Sequence, residues 1–263
     1  MPTPGITFAG FAREADFQLH HAGQRLACAI SLVAVPPAML EAAAPQMLSP
    51  EEAALLTDRL APARRQSLLA GRLAAKSALG RLAPGVDPRD IRILPGVLQQ
   101  PVASVRGRSN LQVTLSHTRD AAIALAHPEA CPVGVDLERA APEQMAALSE
   151  PTTPREREMM QAARSDDAHQ ELLALWCLKE ALSKALRCGL TVPFSLLEVA
   201  NVAPLQGGVC ARFAHFSQYE GIALCAPPFC LAIVRPHTAR WMDEEGATPA
   251  LLLQWLKQLA ALG

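Results

Sequence analysis

Between Trp176 and Leu186 the chain places one acid and two ammonium groups, Lys179, Glu180 and Lys184, inside an otherwise apolar stretch. Leu175, Leu178, Leu182 and Leu186 recur at separations of three and four, so one stripe of a helix must be covered by a core, and Gly189 supplies its stop. Ser165 and Asp166 are cap candidates at its start. On the neighbouring stripe Leu173, Cys177, Glu180, Lys184 and Arg187 also keep helical spacing, which puts Glu180 and Lys184 one turn apart and projecting together. An acid followed four residues later by a lysine is ordinarily a solvated pair worth about 0.3 kcal/mol. Lysine usage argues for more. Among 24 Lys plus Arg, lysine occurs only at Lys76, Lys179, Lys184 and Lys257. A compact point charge, kept where the chain otherwise uses the flat guanidinium, points to a geometric demand.

Half of the 263 residues are hydrophobic and 19% are charged, so the chain is globular and long enough for one large domain or two ordinary halves. A formal charge of −1 supplies no global field for nucleic acid or an anionic membrane, and any anion site must be local. The apolar run Leu26 to Pro36 is too short to span a bilayer and the N-terminus has no signal-peptide order, which leads us to expect a cytoplasmic protein. Seven cysteines, odd in number and never in a C-x-x-C pair, read as reduced core thiols. Neither a G-x-x-x-x-G-K-[ST] loop nor a G-x-G-x-x-G fingerprint is present, so bound phosphates must be held by side chains.

In chain order, Leu26 to Val35 reads as a buried strand closed by Pro36 and Pro37. Ser49-Pro50-Glu51-Glu52 opens a helix running toward Arg59. A second helix spans Ala63 to Leu82, with Arg65, Arg72 and Lys76 on one stripe as either a solvated face or an anion cradle. Ile91 to Leu94 is a short strand, Gly96 to Pro101 a loop containing Gln100, and Leu111 to His117 a half-buried strand ending in Ser116 and His117. Val133 to Glu138 is a strand that projects Asp136 and Glu138 on one face, where two carboxylates repel unless a cation lies between them. A hard divalent ion such as Mg²⁺ suits oxygen donors of this kind. Pro142 to Pro154 reads as a loop and Arg155 to Ala163 as a charged helix. Strands follow at Val209 to His215, Gly221 to Cys225 and Phe229 to Val234, with an amphipathic helix from Thr248 to Leu262.

The two halves echo each other. Arg72 to Ala78 matches Glu180 to Leu186 in periodicity, with Lys76 against Lys184, and Thr114 to His117 is echoed by Arg212 to His215. We therefore expect an α+β fold made of two similar halves, residues 1–130 and 131–263, each a long helix on a small antiparallel sheet, with a pseudo-two-fold between them and the site at their interface. An internal repeat of this kind implies a monomer.

Three carboxylates, an adjacent lysine and a separate cationic stripe describe a magnesium site for a polyanionic ligand, the set that phosphoryl transfer requires. Gly134-Val135-Asp136-Leu137-Glu138 together with Trp176-Cys177-Leu178-Lys179-Glu180-Ala181-Leu182-Ser183-Lys184 resemble the two signature motifs of the 4′-phosphopantetheinyl transferases, of the longer, pseudo-dimeric surfactin-synthetase-activating type. The resemblance implies transfer of the phosphopantetheine arm of coenzyme A to a serine of an apo acyl or peptidyl carrier protein, with release of adenosine 3′,5′-bisphosphate. It implies that Asp136, Glu138 and Glu180 hold Mg²⁺, that Glu180 or a metal-bound water accepts the serine proton, and that Lys184 neutralises pyrophosphate charge. Ser116 and His117 match the segment contacting coenzyme A phosphates, and the helix carrying Arg65, Arg72 and Lys76 matches the segment for the 3′-phosphate. Gln99-Gln100-Pro101 stands where members often carry Gly, a basic residue and Pro, and Thr153-Pro154-Arg155-Glu156 matches the segment near the carrier surface. Two rivals use the same residues: a Mg²⁺-dependent phosphodiesterase or nucleotide hydrolase, and a carrier-binding module without turnover.

Overall fold

The computed structural model describes residues 11–163, 167–242 and 247–262. The fold is α+β, with helices laid on antiparallel sheets. It divides into two compact units, the first comprising residues up to 18 and 26–130, the second residues 19–25 and 131–263.

Unit 1 begins with a hairpin, β1 (Ala12–His21) and β2 (Gln24–Val33), whose turn end, residues 19–25, belongs to unit 2. Pro36 and Pro37 do not only close the strand. Pro37 occupies the first turn of α1 (Pro37–Met47), where a missing N–H costs nothing. The Ser49 capping box opens α2 (Pro50–Ala53), which ends after four residues instead of running to Arg59. The long helix α3 (Pro62–Leu82) buries Leu69, Leu73, Ala74 and Leu79. Then come β3 (Ile91–Pro95), β4 (Pro101–Val105), β5 (Leu111–His117) and β6 (Ala122–Pro128). The strand order is β1-β2-β6-β5, with β3 paired to β4 and β4 packed alongside β5.

Unit 2 starts at β7 (Gly134–Arg139) and continues through α4 (Met145–Ser149), α5 (Pro154–Ala163) and α6 (Ala168–Ala185). The cap candidates Ser165 and Asp166 lie outside the described residues. Asp167 caps α6, its carboxylate accepting the His169 N–H at 3.4 Å. Next are β8 (Val199–Leu205), β9 (Gly208–Phe213), β10 (Tyr219–Ala226), β11 (Phe229–Pro236), β12 (Arg240–Trp241) and α7 (Ala247–Ala260). The sheet order is β7-β11-β10-β9-β8, and β12 pairs with the hairpin end of β1 through Leu19↔Trp241.

The repeat is present in this layout, in a register different from the one read in the sequence. Ser49 and Glu52 cap each other, Glu52 also accepts the Ile93 N–H at 3.1 Å, and Lys76 of α3 sits 2.6 Å from the same carboxylate. Thr153 and Glu156 do likewise, Glu156 accepting the Val199 N–H at 2.8 Å with Lys179 of α6 at 2.8 Å. Lys76 therefore corresponds to Lys179, not to Lys184. The strand orders match β5 with β10 and β4 with β9, so the pairing of Thr114–His117 with the Arg212 segment is also corrected. Ser31 pairs with Ala124 and Asp136 with Ala232, each alanine four residues before a strand-ending proline. Ser31 and Ser77 thus occupy in unit 1 the places that Asp136 and Glu180 hold in unit 2.

Candidate functional site

The geometry begins with Gly134. A Cβ there would lie 1.8 Å from the Ala181 carbonyl oxygen, so only glycine lets α6 come down onto β7. Side chains alternate along a strand, so Asp136 and Glu138 project from the same helix-covered face. The helix runs antiparallel to the strand. Ala181 and Ala185 pass over Gly134, Lys184 meets Asp136, and Trp176 reaches Glu138. Period-two and period-3.6 spacing together bring both sequence motifs to one place.

Lys184 Nζ donates to Asp136 Oδ1 at 2.6 Å, with the Asp136 side chain 2% and the Lys184 side chain 25% exposed. Lys184 thus bonds the strand acid across 48 positions. Burial alone would lower the Lys184 pKa, but Asp136, then Glu180 and Glu138, outweigh it and hold the ammonium above its ordinary value. Glu138 is pushed to about 7 by desolvation and then by the Asp136 charge, while Lys184 and the Trp176 hydrogen bond pull it back. Desolvation and Asp136 also raise Glu180. The Asp136 charge thus acts on both glutamates, and Glu180 acts on Glu138 as well. Among the described residues, however, no three His, Cys, Asp or Glu side chains stand where they could hold a metal ion, and Asp136 holds Lys184 instead.

The cationic stripe of unit 1 is spent differently. Lys76 Nζ donates to Pro88 O at 2.8 Å and to Ile91 O, with Glu52 at 2.6 Å. All three ammonium donors are used within the chain, which removes Lys76 from the anion cradle. Arg72 lies 3.3 Å from Glu52 and is largely buried. Arg65 makes a two-pronged contact with Glu41, at 2.5 and 2.8 Å, on the surface. Gln100 turns back on its own loop, accepting the Leu98 N–H at 2.9 Å. Leu115 faces α3, lying 3.6 Å from where a Gly71 Cβ would be, so by alternation His117 shares that face and the buried Ser116 takes the opposite one.

Sequence reading named Glu52 only at a helix start and Glu156 only in the segment near the carrier surface, and did not see that both are fully buried partners of lysines. Their available signal was the repeated S/T-P-x-E, Ser49-Pro50-Glu51-Glu52 and Thr153-Pro154-Arg155-Glu156. Lys179 was singled out only as part of a motif, and it is 1% exposed, bonded to Glu156 and to Pro151 O at 2.6 Å.

Residues 132–227 match the family profile of the 4′-phosphopantetheinyl transferase superfamily. No curated protein matches this chain. Among solved structures, a holo-(acyl-carrier-protein) synthase from Bacillus anthracis in complex with CoA (3′,5′-ADP) is similar, at 18% identity and a TM-score of 0.34 over 42% of this chain and 96% of that one. The Thermotoga maritima holo-[acyl-carrier-protein] synthase shows 22% identity and a TM-score of 0.30 over 51% of this chain and 74% of that one. An apo-ACPS from Chronobacterium ammoiniagenes shows 22% identity and a TM-score of 0.31 over 44% and 99%. Among the described residues no helix is long and apolar enough to cross a membrane.

Proposed function

We propose that the protein transfers the 4′-phosphopantetheine arm of coenzyme A to a serine of an apo acyl or peptidyl carrier protein, in the manner of the surfactin-synthetase-activating type. The observation that carries this reading is the seating of Glu180 and Lys184 over Asp136 and Glu138, within the segment that matches the transferase superfamily. The donor set fits a hard divalent cation chemically. All its donors are carboxylate oxygens, the type such an ion takes. Asp136, Glu138 and Glu180 would hold Mg²⁺, which supplies charge neutralisation to a bound pyrophosphate.

The chain's own residues do the rest. Glu180, its pKa raised from the ordinary value by desolvation and then by the Asp136 charge, would accept the proton of the carrier serine. Lys184 presents a full positive charge to the phosphate on which negative charge develops. Arg65 is the readiest cation for a coenzyme A phosphate, because its exposed pair with Glu41 is worth at most about 1 kcal/mol and can be exchanged. Ser116 and His117 complete the proposed coenzyme A contacts.

Intact-protein mass spectrometry of an apo carrier protein incubated with this protein, coenzyme A and Mg²⁺ tests the reading. A gain of one phosphopantetheine mass, lost in EDTA, is expected. Free phosphopantetheine without a mass gain would mark a hydrolase, and carrier binding without either product a module that does not turn over.

A further inference from the structure

We propose that Cys225 and Cys230 are a modification site, a cross-strand dithiol that a hydroperoxide converts to a disulfide. The inference does not depend on the transfer reaction. Strands β10 and β11 pair residue for residue from Tyr219↔Pro236 to Ala226↔Phe229, so Cys225 stands directly opposite Cys230. Opposed residues of antiparallel strands have Cα atoms about 4.5–5.5 Å apart, inside the roughly 4.4–6.8 Å span that disulfides bridge. The side chains already face each other. Both are thiols, and their sulfurs lie 3.1 Å apart with one S–H donating to the other. Closing that gap to about 2.05 Å takes side-chain rotation and no change of register.

Exposure decides which sulfur reacts first. Cys225 is 7% exposed and Cys230 0%, and Cys225 lies two residues from Pro227, which is exposed in the turn. Parting the single pair Ala226↔Phe229 opens the way to it. The Cys225 sulfur attacks a peroxide oxygen: an S–O bond forms, the O–O bond breaks, and the departing oxygen takes the thiol proton, leaving as water or an alcohol. Cys230 Sγ then attacks the sulfenic sulfur, forming S–S and breaking S–O, and the leaving hydroxide takes the Cys230 proton as water. The two thiols lose two electrons and the peroxide gains them. Cys177 of α6 is the rival partner, since its thiol also bonds Cys230 and reaches the Cys230 carbonyl at 3.7 Å. It is fully buried, however, and no strand register holds it opposite Cys230. Cys230 also pairs with Glu138 of β7, so the disulfide would lie one strand from the acid face.

Treatment of the full native chain with hydrogen peroxide, followed by alkylation and tryptic mass spectrometry, tests the assignment. Cleavage after Arg212 and Arg240 gives a peptide, residues 213–240, whose only cysteines are Cys225 and Cys230. This peptide is expected to lose two hydrogens and to take up iodoacetamide only after reduction. A link from Cys177 to Cys230, or sulfinic acid at Cys225, overturns the proposal. So does an unchanged peptide at a peroxide dose that oxidises the half-buried Cys188 or Cys210. Cys177→Ala should leave the disulfide in place, and Cys225→Ala should leave Cys230 unoxidised at the same dose. The wild-type peptide alone decides the matter where a variant does not fold.

Discussion

Lys179 and Glu156 close an ion pair at 2.8 Å in which the two side chains are 1% and 0% exposed, and Lys76 and Glu52 repeat it in the other unit at 2.6 Å with 2% and 0% exposed. Each glutamate is also a helix cap and the acceptor for a strand N–H, so a single carboxylate ties three elements together. Such a pair is not by itself a source of stability, since desolvation of both charges offsets their attraction. Breaking it is another matter. Lys179→Met strands a buried carboxylate and should cost about 3–5 kcal/mol in urea denaturation, and Lys76→Met should cost a similar amount. The double change Glu156→Gln with Lys179→Met should recover part of the loss. A cost below about 1 kcal/mol for either single change would contradict the structural role.

Gly134 sets the distance between α6 and β7. Its absent Cβ would meet Ala181 O at 1.8 Å and Ala185 N at 2.8 Å, both backbone atoms of a packed helix that cannot swing aside. Gly134→Ala should therefore destabilise by about 3 kcal/mol or more, at the upper end of overpacking costs. Because the same displacement carries Lys184 away from Asp136, whatever protein still folds should also lose transfer activity. A melting temperature within about 2 °C of wild type would show that the helix can shift without penalty.

The raised pKa of Glu138 gives the metal-free protein a pH dependence of definite sign. Glu138 titrates at about 7 when folded against an ordinary 4.5, so between those values the folded state binds more protons than the unfolded one. Stability should consequently fall as pH rises through that window and level off above it, by about 1–2 kcal/mol after allowing for solvent screening. Glu180 is shifted in the same direction and adds to the fall. Denaturation midpoints in EDTA at pH 5 and pH 8 check this. A midpoint higher at pH 8 would contradict the electrostatics, and Mg²⁺ should flatten the dependence by holding the carboxylates ionised.

What could be read in advance follows from the range of the interactions. The helix carrying Glu180 and Lys184 and the strand carrying Asp136 and Glu138 were legible because each is set by spacing within a few residues, and both lie where expected. The partner of Lys184 was not, because Asp136 is 48 positions away and chosen by helix-on-sheet packing. Lys76 looked like a ligand cation for the same reason, since nothing near it in sequence announces Glu52. Proline misled at α1, where Pro37 starts a helix, and hid β4 and β8, which contain Pro101 and Pro204. The repeat was visible as a pattern, but its register is fixed by the buried pairs, and these align Lys76 with Lys179.

Glu180 offers the sharpest separation of stability from function. Its carboxylate is partly desolvated, the Asp136 charge makes its ionisation more costly, and its own charge does the same to Glu138. Glu180→Gln keeps the shape and removes one repelling charge, so above pH 7 and without metal the variant should be as stable as the wild type or more stable by about 0.5–1 kcal/mol. The same change removes both the proposed proton acceptor and a proposed metal ligand, and transfer to the carrier protein should fall by at least about 10³-fold. Activity and stability should thus move in opposite directions in one protein. Transfer retained at more than a tenth of the wild-type rate would take Glu180 out of the chemistry, and a marked loss of stability would show that its charge is satisfied within the fold and not held for a cation.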